Sequence, residues 1–234
     1  MALFDLDNTL VDRQAAFERW ARRFARSRQL DEGAVELLRR IDGDGFAPRS
    51  SVFEALGRQY ELPATVEELV ADYRLTYLRE YRPDPAVQEA LTRLRGAGWR
   101  IGLVTNGPPT QREKLARAGL ADLIDEVCIS DELGVAKPDR RIFETALARL
   151  GVAAEGAAWM IGDAAVPDIG GGRAAGLATA WVHRGRRWQE RSFRPDVVVA
   201  GCVEAVDLLL SASPRFQAPS GRGAGHPPIA SGGS

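Results

Sequence analysis

The chain has 234 residues and a formal net charge of −1, with 45% apolar and 27% charged residues. This composition is ordinary for a soluble globular protein, and the length allows one large domain or a core with a small insert. With a net charge near zero, no overall field favours nucleic acid or an anionic membrane as a partner. No apolar run reaches the length of a membrane span and no signal peptide is visible, so we expect a cytoplasmic protein.

Two residue types are too rare to support several common chemistries. The only cysteines, Cys128 and Cys202, lie in apolar stretches and cannot form a disulfide framework. The only histidines, His183 and His226, leave almost no material for a Ser-His-Asp or Cys-His mechanism, or for a histidine-rich zinc site. Carboxylates must therefore carry any chemistry of this chain.

The order of predicted elements points to an α/β fold. Residues 1–6 form a short apolar run that ends at acids, which predicts a buried strand, and residues 13–82 then show helical spacing without strand signals. From Pro83 onward helices alternate with strands, which are predicted at 99–104, 126–129, 158–161, 177–182 and 197–200. Such alternation predicts parallel pairing, and hence a doubly wound parallel sheet.

This pattern predicts three parts along the chain. Residues 1–12 and 83–212 form the core domain, and residues 13–82 form a helical insert after the first strand. Residues 213–234 consist mostly of Pro, Gly, Ser, Ala and Arg, which predicts a disordered tail. Within the insert we expect Trp20, Phe24 and Tyr73 to form its core, and the loop at 42–45 to approach the active site.

Two polar segments follow the first two strands of the predicted core. Asp5 and Asp7 straddle the end of strand one, and both can face one pocket only if the chain leaves strand geometry just after Asp5. Thr105 and Asn106 end strand two with a hydroxyl and an amide, which are neutral donors suited to phosphate oxygens. Taken singly, each segment also fits an ordinary turn with solvated polar side chains.

Two further segments complete the set. Lys137 and Pro138 precede a predicted helix, with Pro138 expected in its first turn and Lys137 beside its N-terminus, where anions are favoured. Asp163 follows a buried strand, and Asp168 lies five residues later. Since ligands bind at the carboxyl edge of open α/β sheets, all four segments are expected to meet at one place.

In this combination the sequence resembles the haloacid dehalogenase-like (HAD) superfamily, over about residues 1–212. The shared signature is DxDx[TV], then a hydroxyl residue after strand two, a lysine, and a GDxxxxD-type acidic segment. These correspond here to Asp5, Asp7 and Thr9, then Thr105, Lys137, and Asp163 with Asp168. The resemblance implies a Rossmann-like core, and the helical insert looks like the family's C1-type cap.

The resemblance also implies roles for these residues. Asp5 would be the nucleophile that forms an aspartyl-phosphate, and Asp7 the general acid and base, with its backbone carbonyl as a metal ligand. Asp5 and Asp163 would hold Mg²⁺, with Asp168 as a further acid. Thr105, Asn106 and Lys137 would bind the phosphoryl oxygens. Ala164 and Ala165, where many relatives carry a polar residue, leave the surroundings of the metal less defined.

The implied activity is Mg²⁺-dependent hydrolysis of a small phosphorylated metabolite, of the sugar phosphate or nucleotide class, by a monomer or homodimer. A haloacid dehalogenase would lack an acid at the position of Asp7, which argues against that alternative. A phosphomutase would share all four segments and differ in the cap. A non-catalytic binding protein on the same fold is the third alternative, and turnover of an aryl phosphate would distinguish it.

Overall fold

The computed structural model describes residues 1–45, 47–151 and 158–211. Within these ranges six parallel strands form one sheet: β1 (Ala2–Phe4), β2 (Ile101–Thr105), β3 (Glu126–Ile129), β4 (Trp159–Gly162), β5 (Ala178–Val182) and β6 (Val197–Val199). The strand order is β3-β2-β1-β4-β5-β6, so the first strand of the chain lies inside the sheet. The predicted doubly wound parallel fold is therefore confirmed.

The inner strands are covered on both faces, which explains their continuous apolar sequences. Every residue of β1 and β2 is buried. β1 pairs with β2 on one side and with β4 on the other, so that Ala2 lies opposite both Ile101 and Trp159. The carboxyl ends of these three strands are consequently neighbours at one edge of the sheet.

Between β1 and the rest of the sheet the described chain is helical. Residues 13–76 of this stretch contain four α-helices: α1 (Arg13–Ser27), α2 (Glu32–Asp42), α3 (Arg49–Gly57) and α4 (Val66–Thr76). The side chains of Asp12 and Asp31 cap α1 and α2, and Thr65 forms a reciprocal capping box with Glu68 at the start of α4. These caps satisfy N–H groups that a helix leaves free at its first turn.

Aromatic side chains form the centre of this helical segment. Trp20 is buried, and its ring lies 4.8 Å from that of Tyr73, 5.1 Å from Phe24 and 6.0 Å from Phe53. Its indole N–H donates to the hydroxyl of Thr76 at 3.1 Å, so the one polar atom of the ring is satisfied. The expectation that Trp20, Phe24 and Tyr73 are core residues is confirmed.

Six further helices complete the described fold: α5 (Pro85–Gly96), α6 (Gln111–Arg117), α7 (Ser130–Leu133), α8 (Arg140–Arg149), α9 (Gly171–Ala174) and α10 (Cys202–Ser211). α8 covers one face of the sheet, where Ile142 and Phe143 share a buried cluster with Leu3 and Val104. On the other face α5 packs against α10. Helices on both faces are what an all-parallel sheet requires.

The predicted domain division and tail stay predictions. One buried apolar cluster runs from Trp20 in the helical segment to Leu91 in α5, so the division into a core (1–12 and 83–212) and a cap (13–82) stays a prediction. The predicted tail at 213–234 lies outside the described residues. In the described part of the chain, no helix is both long and apolar enough to span a membrane.

Candidate active site

The turn after β1 gives the first pair of acids its geometry. β1 ends at Phe4, and the backbone N–H of Asp5 still donates to the carbonyl of Ile161 at 2.9 Å. Asn8 then adopts a left-handed conformation with φ of 65°, and its N–H donates to Val11 O at 2.7 Å. Asn tolerates this conformation better than most residues. The chain thus leaves strand geometry directly after β1, as the sequence predicted.

Three carboxylates and one lysine meet at the carboxyl edge of the sheet. Asp5, Asp163 and Asp168 each offer an oxygen within 4.8 Å of the others. Lys137 Nζ donates to Asp5 Oδ1 at 2.6 Å and to Asp168 Oδ1 at 2.7 Å. All four side chains are buried. We call this group the three-acid cluster, and it places four of the predicted site residues together.

The side chain of Asp168 packs closely against Gly162, the last residue of β4. Asp168 lies in a π-helical turn (Ala165–Gly170), and its Oδ2 accepts from the backbone N–H of Ala164 at 2.9 Å. A Cβ atom on Gly162 would lie 2.2 Å from that same Oδ2. Glycine is therefore required at position 162 for the acid to pack behind Asp5 and Asp163.

The three-acid cluster carries more negative than positive charge, which raises the proton affinity of its carboxylates. Burial, followed by the nearby carboxylates, raises the pKa of Asp5 to about 8 although Lys137 lowers it. Burial also raises the pKa of Asp163 to about 6, with Asp168 adding to the effect. Burial alone would lower the pKa of Lys137, but Asp168 and Asp5 outweigh it and hold that pKa above its ordinary value. Clustered carboxylate oxygens with excess negative charge are donors suited to a hard divalent cation such as Mg²⁺.

Asp7 points to different partners. Its Oδ2 accepts from Lys114 Nζ at 2.5 Å and from Gln111 Nε2 at 3.2 Å, while its Oδ1 accepts from the Tyr81 hydroxyl at 3.0 Å. Burial opposes ionisation, but Lys114 and the hydrogen bonds outweigh it and lower the pKa of Asp7. We call Asp7 with these three donors the Asp7 cluster. The carboxylate of Asp7 is not part of the three-acid cluster. The metal ligand expected from Asp7 is its backbone carbonyl, and that expectation stays a prediction.

The two polar residues at the carboxyl end of β2 have distinct surroundings. Thr105 is buried, and its hydroxyl accepts from Gln111 Nε2 at 2.8 Å. The side chain of Asn106 is engaged with the backbone of Lys137: Nδ2 donates to Lys137 O at 2.9 Å and Oδ1 accepts from Lys137 N at 2.8 Å. This reciprocal pair fixes the segment that carries Lys137. The expected contact of the Asn106 amide with phosphate oxygens remains a prediction.

One local expectation is wrong. Pro138 does not lie in the first turn of α8, which begins at Arg140 with Asp139 as its N-cap. Asp139 accepts from the backbone N–H of Arg141, so a capping carboxylate, rather than the proline, sets the start of the helix. Lys137 thus lies in the turn before α8, joined to Pro138 by a cis peptide bond.

A cavity of about 730 Å³ opens above the two clusters. Asp44 and Gly45 line it from the helical segment, so the 42–45 loop does reach the site, as predicted. Asp44 is tied to the turn after β1, because its Oδ1 accepts from Asn8 Nδ2 at 2.9 Å. The lining also includes Trp181 and Arg186, from β5 and the loop that follows it.

Several residues of the site were not predicted from the sequence. Arg186 donates to Asp163 Oδ2 and to Asp163 O, at 2.9 and 2.8 Å. Gln111 and Tyr81 carry no motif, and arginines are too frequent in this chain for Arg186 to stand out. Lys114 does carry a signal, because it is one of only two lysines in the chain.

Comparisons with known proteins show which family this chain is similar to. Residues 1–176 match the family described as haloacid dehalogenase-like hydrolase. The chain is 42% identical over 161 residues to a phosphoserine phosphatase of Thermus thermophilus, covering 67% of this chain and 63% of that protein, which is under two thirds of its length. It is 34% identical over 198 residues to a glyceraldehyde 3-phosphate phosphatase of Pyrococcus abyssi, covering 78% and 81%. The magnesium-bound HAD-hydrolase YfnB of Bacillus subtilis superposes with a TM-score of 0.72 at 25% identity, covering 89% and 97%.

Proposed function

The chain belongs to the haloacid dehalogenase-like hydrolases, and on that basis we propose that it is a Mg²⁺-dependent phosphatase acting through a covalent aspartyl-phosphate on Asp5. The substrate is a small phosphorylated metabolite of the sugar phosphate or nucleotide class. The observation that carries the proposal is the three-acid cluster, in which Lys137 Nζ lies 2.6 Å from a buried Asp5 at the carboxyl edge of the sheet. The similarity of this chain to two proteins named as phosphatases supports it.

The residues that would hold the metal are those whose carboxylates already converge. Asp5 and Asp163 would provide oxygen ligands, Asp7 its backbone carbonyl, and Asp168 would act from behind them, since both its oxygens already accept hydrogen bonds. When bound, Mg²⁺ supplies positive charge that offsets the repulsion between an anionic nucleophile and an anionic phosphate. The same charge would favour the ionised form of Asp5 that nucleophilic attack requires.

In the first step an oxygen of Asp5 forms a bond to phosphorus as the bond from phosphorus to the leaving-group oxygen breaks. Asp7 donates a proton to that departing oxygen. Its carboxyl has to be protonated for this, and the arrival of a dianionic phosphate beside it favours the protonated form. Lys137 and Thr105 bind the transferring oxygens and stabilise the charge that develops on them.

In the second step water attacks phosphorus and the bond to Asp5 breaks, which releases inorganic phosphate and restores the carboxylate. Asp7, ionised after the first step, takes the proton from that water. The donors around it, Lys114 and Gln111, favour this ionised form. A haloacid dehalogenase has no use for a proton-transferring acid here, and the well-ordered surroundings of Asp7 therefore favour phosphoryl transfer.

Phosphate release from a panel of phosphomonoesters by the purified full chain tests this proposal. Sugar phosphates, nucleoside monophosphates, phosphoserine and p-nitrophenyl phosphate are assayed with Mg²⁺, with a chelator, and after Mg²⁺ is restored. We expect turnover that disappears with the chelator and returns with the metal. Turnover that persists in chelator would contradict the metal assignment, and a folded protein inactive on every ester would favour a binding protein.

The same panel distinguishes hydrolysis from one related reaction. A phosphomutase converts one sugar phosphate into its isomer without net release of phosphate, which product analysis detects directly. The expected cytoplasmic location, the absence of nucleic-acid and membrane partners, and the monomeric or homodimeric state accompany the proposal as predictions. Gel filtration of the active protein would decide the last of these.

A further inference from the structure

The chain is rich in arginine, yet both of its lysines lie in the site. Of its 31 Lys and Arg residues, 29 are arginine and only Lys114 and Lys137 are lysine. Each lysine places its ammonium on a site carboxylate: Lys137 on Asp5 and Asp168, and Lys114 on Asp7. A bias toward arginine that spares only these two positions indicates that a compact ammonium is needed at each of them.

Lys114 approaches Asp7 from a helix that also carries a second donor. Gln111 and Lys114 are three residues apart in α6, so their side chains lie on the same helix face. Gln111 Nε2 donates to Asp7 Oδ2 and to the Thr105 hydroxyl, which connects Asp7 with the end of β2. The helix thereby presents one charged and one neutral donor to a single carboxylate oxygen.

The surroundings of the ammonium are restricted. The Lys114 side chain is 11% exposed and that of Asp7 24%. Lys114 Nζ lies 5.4 Å from the centre of the Tyr81 ring, whose hydroxyl donates to the other oxygen of Asp7 and contacts the Tyr77 hydroxyl at 2.7 Å. A planar guanidinium is larger than an ammonium and directs its donors differently, so it does not fit the same position.

From this geometry we propose that Lys114 is a positioning residue for Asp7: it fixes the orientation of the carboxylate that exchanges protons with the leaving group and with water. The inference rests on the proposed phosphatase function. Without Lys114, Oδ2 keeps only the longer contact to Gln111 at 3.2 Å, and the carboxylate gains freedom to rotate. A misplaced proton donor slows the departure of a poor leaving group far more than that of a good one.

The test compares two substrates in Lys114→Met and wild type. One is the best alkyl phosphate from the panel, whose alcohol needs a proton to depart, and the other is p-nitrophenyl phosphate, whose leaving group needs little help. Arg117→Met is the matched control, because it removes a cation from the same helix whose partner is the exposed Glu113. We expect kcat/KM for the alkyl phosphate to fall roughly 10²-fold in Lys114→Met, within the range of general acid catalysis. The loss for the aryl phosphate should be less than about fivefold, and Arg117→Met should match wild type.

A double-mutant cycle with Asp7→Asn provides a second measurement. If Lys114 acts through Asp7, then adding Lys114→Met to Asp7→Asn causes little further loss. Losses that are equal for both substrates, or that add fully to those of Asp7→Asn, would overturn the positioning role and leave a structural ion pair. If Lys114→Met does not fold, Lys114→Gln is measured by the same criterion, with a smaller effect in the same direction expected.

The experiment also separates this inference from the proposed function. Wild-type protein that hydrolyses both esters, with unequal losses in Lys114→Met, supports both. Wild-type turnover with equal losses, or with no loss, overturns only the role of Lys114. A wild type that hydrolyses neither ester overturns both.

Discussion

The three-acid cluster and the Asp7 cluster are built from the same kinds of side chain but have opposite electrostatics. In the first, three buried carboxylates share one lysine, and the pKa of Asp5 is raised to about 8. In the second, one carboxylate faces Lys114, Gln111 and Tyr81, and the pKa of Asp7 is lowered. Burial favours the neutral acid in both clusters. The number of hydrogen-bond donors per carboxylate therefore decides whether the pKa is raised or lowered.

This difference assigns separate tasks to two acids only two positions apart. A cluster with more carboxylates than cationic side chains is suited to bind a divalent cation, which neutralises its excess negative charge. A carboxylate surrounded by donors is held in place without a metal and is suited to proton exchange. The chain bends at Leu6, directly after β1, and this bend lies between the two acids.

The largest effect on activity should come from replacing Asp5, the proposed nucleophile of the three-acid cluster. Asp5→Asn keeps the size of the side chain and removes the nucleophile, so we expect phosphate release to fall by on the order of 10⁴-fold or more. Asp122→Asn, at an exposed position, is the matched control and should retain full activity. Steady-state phosphate release measures both variants. Activity of Asp5→Asn near that of wild type would contradict the role of Asp5.

The two lysines should differ in their contribution to stability. Lys137→Met leaves buried acids without a cation, which is expected to lower the free energy of unfolding by about 3–5 kcal/mol. Lys114→Met leaves Asp7 with two donors and partial access to water, so its cost is expected to be only about 1 kcal/mol. Urea unfolding at pH 7 in the presence of a chelator compares them. Equal costs would mean that the two clusters do not differ as described.

The raised pKa of Asp5 predicts a pH dependence of stability. A group whose pKa is higher in the folded state stabilises the fold fully below its unfolded value of about 3.8, and this contribution is lost as the pH rises through about 8. Metal-free wild type should therefore lose more stability than Asp5→Asn between pH 5 and pH 8, by on the order of 1–3 kcal/mol. Parallel urea titrations at the two pH values measure the difference. A smaller loss in wild type would show that the pKa of Asp5 is not raised.

A smaller effect is expected at the rim of the three-acid cluster. Arg186 donates to Asp163 Oδ2 at 2.9 Å and is 43% exposed, so its charge competes with a cation bound by Asp163. Arg186→Gln should bind Mg²⁺ a few-fold more tightly, because water screens most of the removed charge. Titration calorimetry without substrate measures this affinity. Weaker binding in the variant would indicate that Arg186 instead holds Asp163 in its ligating position.

The sequence predicted those parts of the site that depend on strand ends. Asp5, Thr105 and Asp163 follow apolar runs, and parallel pairing brings the ends of such runs to one edge whatever the loops do. The helical stretch at 13–82 could be predicted from its spacing alone. The start of α8 was not predicted correctly, because Pro138 was expected in its first turn and the structure has Asp139 as the N-cap.

The Asp7 cluster was not predicted because it depends on packing between distant elements. Lys114 and Asp7 are 107 residues apart, and Tyr81 and Asp7 are 74 apart. Their contacts require a particular rotation of α6 about its axis and the return of the chain from the helical segment. The rarity of lysine in the sequence draws attention to Lys114 but does not indicate which residue it contacts.

The central proposal is that the phosphoryl group is transferred to Asp5, and trapping the intermediate tests it most directly. Wild type is mixed with substrate and Mg²⁺, quenched in acid, and treated with borohydride, which reduces an aspartyl-phosphate to homoserine. Mass spectrometry of the N-terminal peptide should then find homoserine at position 5, only when both substrate and metal were present. An unmodified Asp5 in protein that turns over under the same conditions, or homoserine at another position, would contradict the proposal.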